Sequence, residues 1–187
     1  LTSSPNTLSG EMQQSIVVMG VNQTQITRQG IDLVVPEYDL LPEYSQEVEL
    51  TKEKEIVFSV PKGQVALTFD DGPSLYTQEI LSILHDYGIR ATFFLIGANV
   101  TLYPQAVPDI RGKGHAIGFH SYSHRDLRKL SYEEQEEDII FSLEALKPYL
   151  HEVSLFRPPY GVYDTNTQKI LKKHGMSLVL WNRDPRD

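Results

Sequence analysis

Five side chains could do chemistry together. Asp70 and Asp71 stand side by side in LTFDDGPS (67–74), His120 and His124 lie four apart in HSYSH, and Arg157 opens RPPYG. Two adjacent carboxylates repel unless a cation or a shared proton lies between them. On a continuing strand they would point to opposite faces, but Gly72-Pro73 stops the strand, and a turning backbone can aim both into one space. The histidine spacing is one that brings two imidazoles to one side of a helical turn. Two neutral imidazoles and one carboxylate make a three-ligand zinc site with a fourth position open. One aspartate can then bind the metal while the other, left free, takes a proton from an attacking water. A guanidinium at Arg157 can grip that free carboxylate through two parallel bonds and fix its orientation. Each motif also has a plainer reading: an Asx turn at Asp-Asp, two unrelated surface histidines, an arginine bridging a rim, and core packing for Trp181.

The elements that must position these groups follow from the hydrophobic pattern. VALTF reads as a buried strand, and LYTQEILSILHDYG as a helix with Ile80, Leu81, Ile83 and Leu84 at helical spacing, closed by Gly88. ATFFLIG (91–97) is the next strand, YPQAVPDIRGKG a short helix interrupted by Pro108, and HAIGFHSYSH a strand running into the histidines. Ser131 with Glu134 makes a capping box at the head of SYEEQEEDIIFSLEALKPYL. SLFRPPYG is strand then turn, TNTQKILKKHG a helix closed by Gly175, and SLVLW a last strand. Alternating strands and helices imply a parallel sheet or a (β/α) barrel, with sites at the carboxyl ends of the strands. Asp70, Asp71, His120, His124, Arg157, Asp184 and Asp187 all fall there. Residues 1–62 have a different texture, with short β-like runs such as SIVVMGV, IDLVV and KEIVFSV, and are expected to form a β-rich extension or small module before a main domain at 63–187.

Composition narrows the class. The chain has 187 residues, no cysteine and a net charge of −8, which excludes disulfides and thiolate ligands and argues against nucleic acid or an anionic membrane as partner. No apolar run reaches the length of a membrane span, and LTSSPNTLSG has neither the basic nor the apolar region of an export signal.

Taken together, TFDDGP, HSYSH, RPPYG and DPRD resemble, in order and spacing, the polysaccharide deacetylase (NodB-homology) family, carbohydrate esterase family four. The resemblance covers roughly residues 62 to 187. It implies a distorted (β/α) barrel, a divalent cation (zinc first, cobalt or nickel on the same ligands) and an N-acetylated polysaccharide substrate such as peptidoglycan or chitin. By residue, it implies Asp70 as catalytic base, Asp71, His120 and His124 as metal ligands, Arg157 as the group orienting Asp70, and the Tyr160 N–H as a donor to the oxyanion. It further implies an extracellular or cell-wall location. Asp187 matches an aspartate that would support an acid histidine in a motif beyond the last residue given. The barrel is therefore expected to be C-terminally incomplete, with SLVLW as an unpaired edge, and none of His85, His115, His151 or His174 replaces the missing acid. An O-acetyl (xylan) esterase using the same site and a non-catalytic carbohydrate-binding protein are the rival expectations.

Overall fold

The structure, a computed structural model, describes residues 20–22, 56–57, 60, 64–150 and 154–184. Strands β1 (Gly20–Asn22), β2 (Ile56–Val57), β3 (Thr68–Gly72), β4 (Thr92–Leu95), β5 (Ala116–Phe119), β6 (Leu155–Phe156) and β7 (Ser177–Val179) form one sheet in the order β1-β3-β4-β5-β6-β7-β2. Every pairing is parallel. Helices α1 (Thr77–Asp86), α2 (Gly97–Leu102), α3 (Ala106–Gly112), α4 (Tyr132–Leu146) and α5 (Thr165–Lys173) connect strands β3 to β7. The expected (β/α) architecture is therefore present, but among the described residues no pairing joins β1 to β2, so the barrel stays open between them.

Apolar strands explain why the sheet is buried on both faces. All four residues of β4 are buried, and their alternation splits them between two cores. Phe93 and Leu95 pack with Leu81, Ile110, Ile139 and Ile170 from the helices. Phe94 packs on the other face with Leu155, Val179 and Val57. Around this sheet the helices keep the expected caps. Ser131 and Glu134 form the capping box of α4, and Gly88 and Gly175 adopt left-handed φ of 63° and 67° just past α1 and α5.

Two expectations are overturned. Pro108 does not interrupt its helix: α3 begins at Ala106, which places the proline in the first turn, where a backbone N–H has no intrahelical partner to lose. Nor is β7 an open edge. Ile56 and Val57 pair with Leu178 and Val179, and the Leu180 N–H donates to Val57 O at 2.7 Å, so backbone groups from early in the chain satisfy those of the last strand. The other described piece of the early segment, β1, lies along β3 with Asn22 opposite Asp70.

Candidate active site

Strand β3 delivers both aspartates, but the turn comes earlier than Gly72-Pro73. Asp71 itself takes a left-handed φ of 63°, and the register with β4 shifts between Phe69 and Gly72. That kink breaks the strict alternation of side chains. Asn99 on α2 donates its side-chain amide to Asp71 O at 2.9 Å and holds the kink in place.

The histidines come from the loop after β5, and this loop is not the helical turn expected from their spacing. Ser121 and His124 are left-handed, with φ of 62° and 56°, and the two imidazole centroids end 5.1 Å apart. Each left-handed residue costs roughly 1–2 kcal/mol, so the loop needs external support. It comes from two sides. Gly97 and Ala98 at the start of α2 donate to Ser121 O and Tyr122 O at 2.9 and 3.1 Å. On the other side, the buried Asp138 of α4 accepts from Tyr122 N–H at 2.8 Å, from Ser123 N–H at 3.4 Å, and from the Ser123 hydroxyl. Gly97 is needed for this close approach: a Cβ there would lie 2.7 Å from the Tyr122 ring and 2.9 Å from Ser142 Cα.

His120 and His124 converge with Asp71. Their Nε2 atoms lie 3.2 and 2.9 Å from Asp71 Oδ1, and the three donor atoms all fall within 4.8 Å of one another. Yet Asp71 Oδ1 is buried and no donor is aligned on it. The second ring nitrogen of His120, Nδ1, lies 2.7 Å from Arg157 O, a carbonyl that can only accept. Nδ1 therefore carries the proton, and the Nε2 lone pair faces Asp71. Burial pushes the Asp71 carboxyl up, and only imidazoles protonated on Nε2 would outweigh that and hold it below the usual carboxylate range. An orphaned buried carboxylate oxygen facing an imidazole lone pair is what a divalent cation would resolve, so the residues fit a metal centre.

Arg157, at the end of β6, is completely buried. It does not grip Asp70 with a two-pronged fork. Nη1 alone reaches Asp70 Oδ1 at 2.7 Å and shares itself with Thr68 Oγ1 at 2.7 Å, while Nε and Nη2 donate to Val179 O and Leu180 O, each at 3.3 Å. The carbonyls end this way because β7 runs beside β6 and presents them to the guanidinium. Its plane also sits 4.0 Å from the Phe94 ring centroid, with Trp181 at 5.5 Å. Burial lowers the Arg157 pKa, and Asp70 opposes that shift. Trp181 packs here as a lid on the arginine: a Cβ on Gly161, whose φ is 66°, would meet its ring at 2.6 Å.

Tyr160 follows on the same turn, left-handed at φ 61° and 62% exposed, with its ring against His124 at 4.9 Å. The turn's hydrogen bonds run from Gly161 N–H to Pro158 O and from Val162 N–H to Pro159 O, which leaves the Tyr160 N–H outside them. The other histidines stand elsewhere. His85 and His174 lie at the ends of α1 and α5, and His115 precedes β5, so all three belong to the amino ends of the strands. His174 Nε2 is 2.8 Å from Glu136 Oε1 at its helix terminus. Asp184 is exposed, and Asp187 and His151 lie outside the described residues.

The family model described as polysaccharide deacetylase matches residues 59–179. The chain belongs to this family. It is 41% identical over 134 residues to a peptidoglycan-N-acetylglucosamine deacetylase of Bacillus cereus, covering 70% of this chain and 49% of that protein. It is 39% identical over 125 residues to chitin deacetylase 1 of Saccharomyces cerevisiae, covering 66% and 40%. The chain thus spans about half, or less, of these relatives' length. A family 4 carbohydrate esterase of Streptomyces lividans, solved in complex with acetate, superposes with a TM-score of 0.63 at 33% identity, covering 66% of this chain and 65% of that one. The strand-end cluster of this deacetylase-family domain is built from Asp70, Asp71, His120, His124 and Arg157. Two supports, Asp138 and Asn99, escaped the sequence reading: Asp138 sits in an acidic run where nothing distinguishes it from its neighbours, and Asn99 follows a strand whose end carries no catalytic side chain.

Proposed function

We propose that this chain hydrolyses the N-acetyl group of N-acetylglucosamine-containing polysaccharide, releasing acetate, with a divalent cation, zinc first, held by Asp71, His120 and His124. Two nitrogens and one oxygen suit zinc, and cobalt or nickel accept the same donors. When bound, the cation acidifies the attacking water and polarises the acetyl carbonyl. Asp70 takes the proton of that water. Arg157 fixes the Asp70 carboxylate in direction, and its own position is held by Thr68 and the carbonyls of Val179 and Leu180. The N–H of Tyr160, outside the turn's own hydrogen bonds, donates to the oxygen that gains charge, a type of contact worth about 3 kcal/mol in acyl transfer. Such a substrate lies in cell walls, so the chain acts at the cell surface or outside; no helix among the described residues is long and apolar enough to cross a membrane.

The observation that carries this reading is the pairing of two carboxylates with different partners: Asp71 with two imidazoles, Asp70 with a buried guanidinium. Acetate release from N-acetylglucosamine oligomers, measured with zinc added and with chelator added, tests it. O-acetylated xylan run in parallel must release acetate more slowly. No release from any N-acetylated glycan with zinc bound would overturn it.

A further inference from the structure

Helix α4 reaches two loops of the site with one face. Asp138 holds Tyr122 and Ser123 in the loop that carries the histidines. Gln135 stands three residues earlier, on the same face, and is completely buried, although glutamine is mostly an exposed residue. Both N–H groups of its amide are engaged inside the protein. Nε2 donates to Leu130 O at 3.3 Å and to Asp164 Oδ2 at 3.2 Å, and Oε1 accepts the Thr167 hydroxyl at 2.8 Å. Thr167 is completely buried as well.

These partners belong to different loops. Leu130 ends the segment that runs on from His120 and His124, and its N–H donates to Leu127 O at 3.0 Å. Asp164 is the N-cap of α5, accepting from the Thr167 N–H at 2.9 Å. Only Gly161, Val162 and Tyr163 separate this cap from Tyr160, so the place where α5 begins limits where the Tyr160 N–H can stand. The same two loops also meet at the surface, where the Tyr160 hydroxyl donates to His124 O at 3.4 Å. That contact is long and exposed, whereas the Gln135 bridge is short of water on every side. An apolar side chain would fill the same space with no partner to satisfy. What the amide adds is direction, holding two loops at one spacing.

We propose that Gln135 is a positioning residue for the reaction: by tying Leu130 to the cap of α5, it sets the span between the histidine ligands and the Tyr160 N–H. The inference rests on the N-deacetylase reading above and adds to it a residue that touches neither the substrate nor a ligand atom.

Zinc-loaded wild type and Gln135→Met, which keeps the length and removes all three bonds, are compared for acetate release from N-acetylglucosamine oligomers. A misplacement of about 1 Å can cost 10²-fold, so kcat is expected to fall about 10–100-fold. KM and the zinc dissociation constant should stay within about threefold of wild type, because Asp138 and the α2 amides still hold the histidine loop. In metal-free protein the Gly161 and Val162 amides, which close the Tyr160 turn, should exchange with solvent about tenfold faster. Thr167→Val, which removes one bond of the three, should lower kcat about 3–10-fold, and Thr167→Ser, which keeps the hydroxyl, should restore most of it. A folded Gln135→Met with kcat within twofold of wild type overturns the proposal. So does a zinc dissociation constant that rises by as much as kcat falls, since the effect then lies in the metal ligands alone. If Gln135→Met does not fold, equal kcat in Thr167→Val and Thr167→Ser overturns it. In each of these cases wild type still releases acetate and N-deacetylation stands; a zinc-loaded wild type that releases none overturns both.

Discussion

Asp138→Ala should weaken zinc binding although Asp138 touches no ligand atom. Its carboxylate holds the Tyr122 and Ser123 amides and the Ser123 hydroxyl, and through them the loop that carries His120 and His124. Ser121 and His124 are both left-handed in that loop, at roughly 1–2 kcal/mol each. With Asp138 in place, folding has met this cost before the metal arrives. In Asp138→Ala the loop is free to relax, and metal binding must restore about 2–4 kcal/mol of backbone strain. At 1.4 kcal/mol per factor of ten, the lower half of that range corresponds to a dissociation constant raised about 30–140-fold, near the top of the range for a residue that orients metal ligands. Competition against a chromophoric chelator at pH 7.5 measures it. Asp138→Asn keeps an acceptor on the two amides and should fall between wild type and alanine. If Asp138→Ala is folded and binds zinc within threefold of wild type, the α2 amides alone hold the loop and the reasoning fails.

Asp70→Asn should retain one metal per chain and lose at least 10²-fold in acetate release, since an amide keeps the shape but takes no proton; near-normal turnover removes Asp70 as the base. Arg157→Met should cost about 3–5 kcal/mol, because it strands Asp70 and the Val179 and Leu180 carbonyls, lowering Tm by about 10 °C in calorimetry. A Tm within 3 °C of wild type contradicts that. Below pH 6.5 stability should decline partly through His115. Its imidazole is buried, accepts the Ala91 N–H at Nδ1, and is held below the ordinary histidine value of 6.5 by burial, then by Lys113 and Arg90. The folded chain keeps it neutral while the unfolded chain takes up a proton, so its contribution is complete above pH 6.5 and is lost as pH falls toward the depressed folded value. Urea midpoints across pH 8 to 5 should fall less steeply in His115→Leu than in wild type, and parallel slopes would refute the assignment.

The residues of the proposed site were legible because each belongs to a short, unusual string at the end of a strand. Asp-Asp-Gly-Pro and the two histidines need no neighbours to be noticed. Their geometry was less legible. The kink sits at Asp71 and the loop turns at Ser121 and His124, positions where local propensity favours neither glycine-like conformation nor the helix inferred from spacing. Contacts made elsewhere in the fold force those conformations. Asp138 was invisible for a related reason: among Glu133, Glu134, Glu136 and Glu137 only burial sets it apart, and burial depends on which face of α4 meets the His120–His124 loop. The covered edge of β7 was missed because Ile56 and Val57 pair across most of the chain, and no local pattern reports a partner so distant.

That distant pairing sets an order of assembly. During synthesis β2 leaves the ribosome about 120 residues before the strand it must join, a wait of some 6–24 s at 5–20 residues per second. Throughout that interval Ile56 and Val57 have no β7 to pair with, and the helices between them must form and stack first. Closing so long a loop costs entropy that two short backbone pairings cannot offset alone. The β2–β7 seam therefore closes last and opens first, and the amides of Leu178 and Leu180 should exchange with solvent ahead of those in β4 and β5.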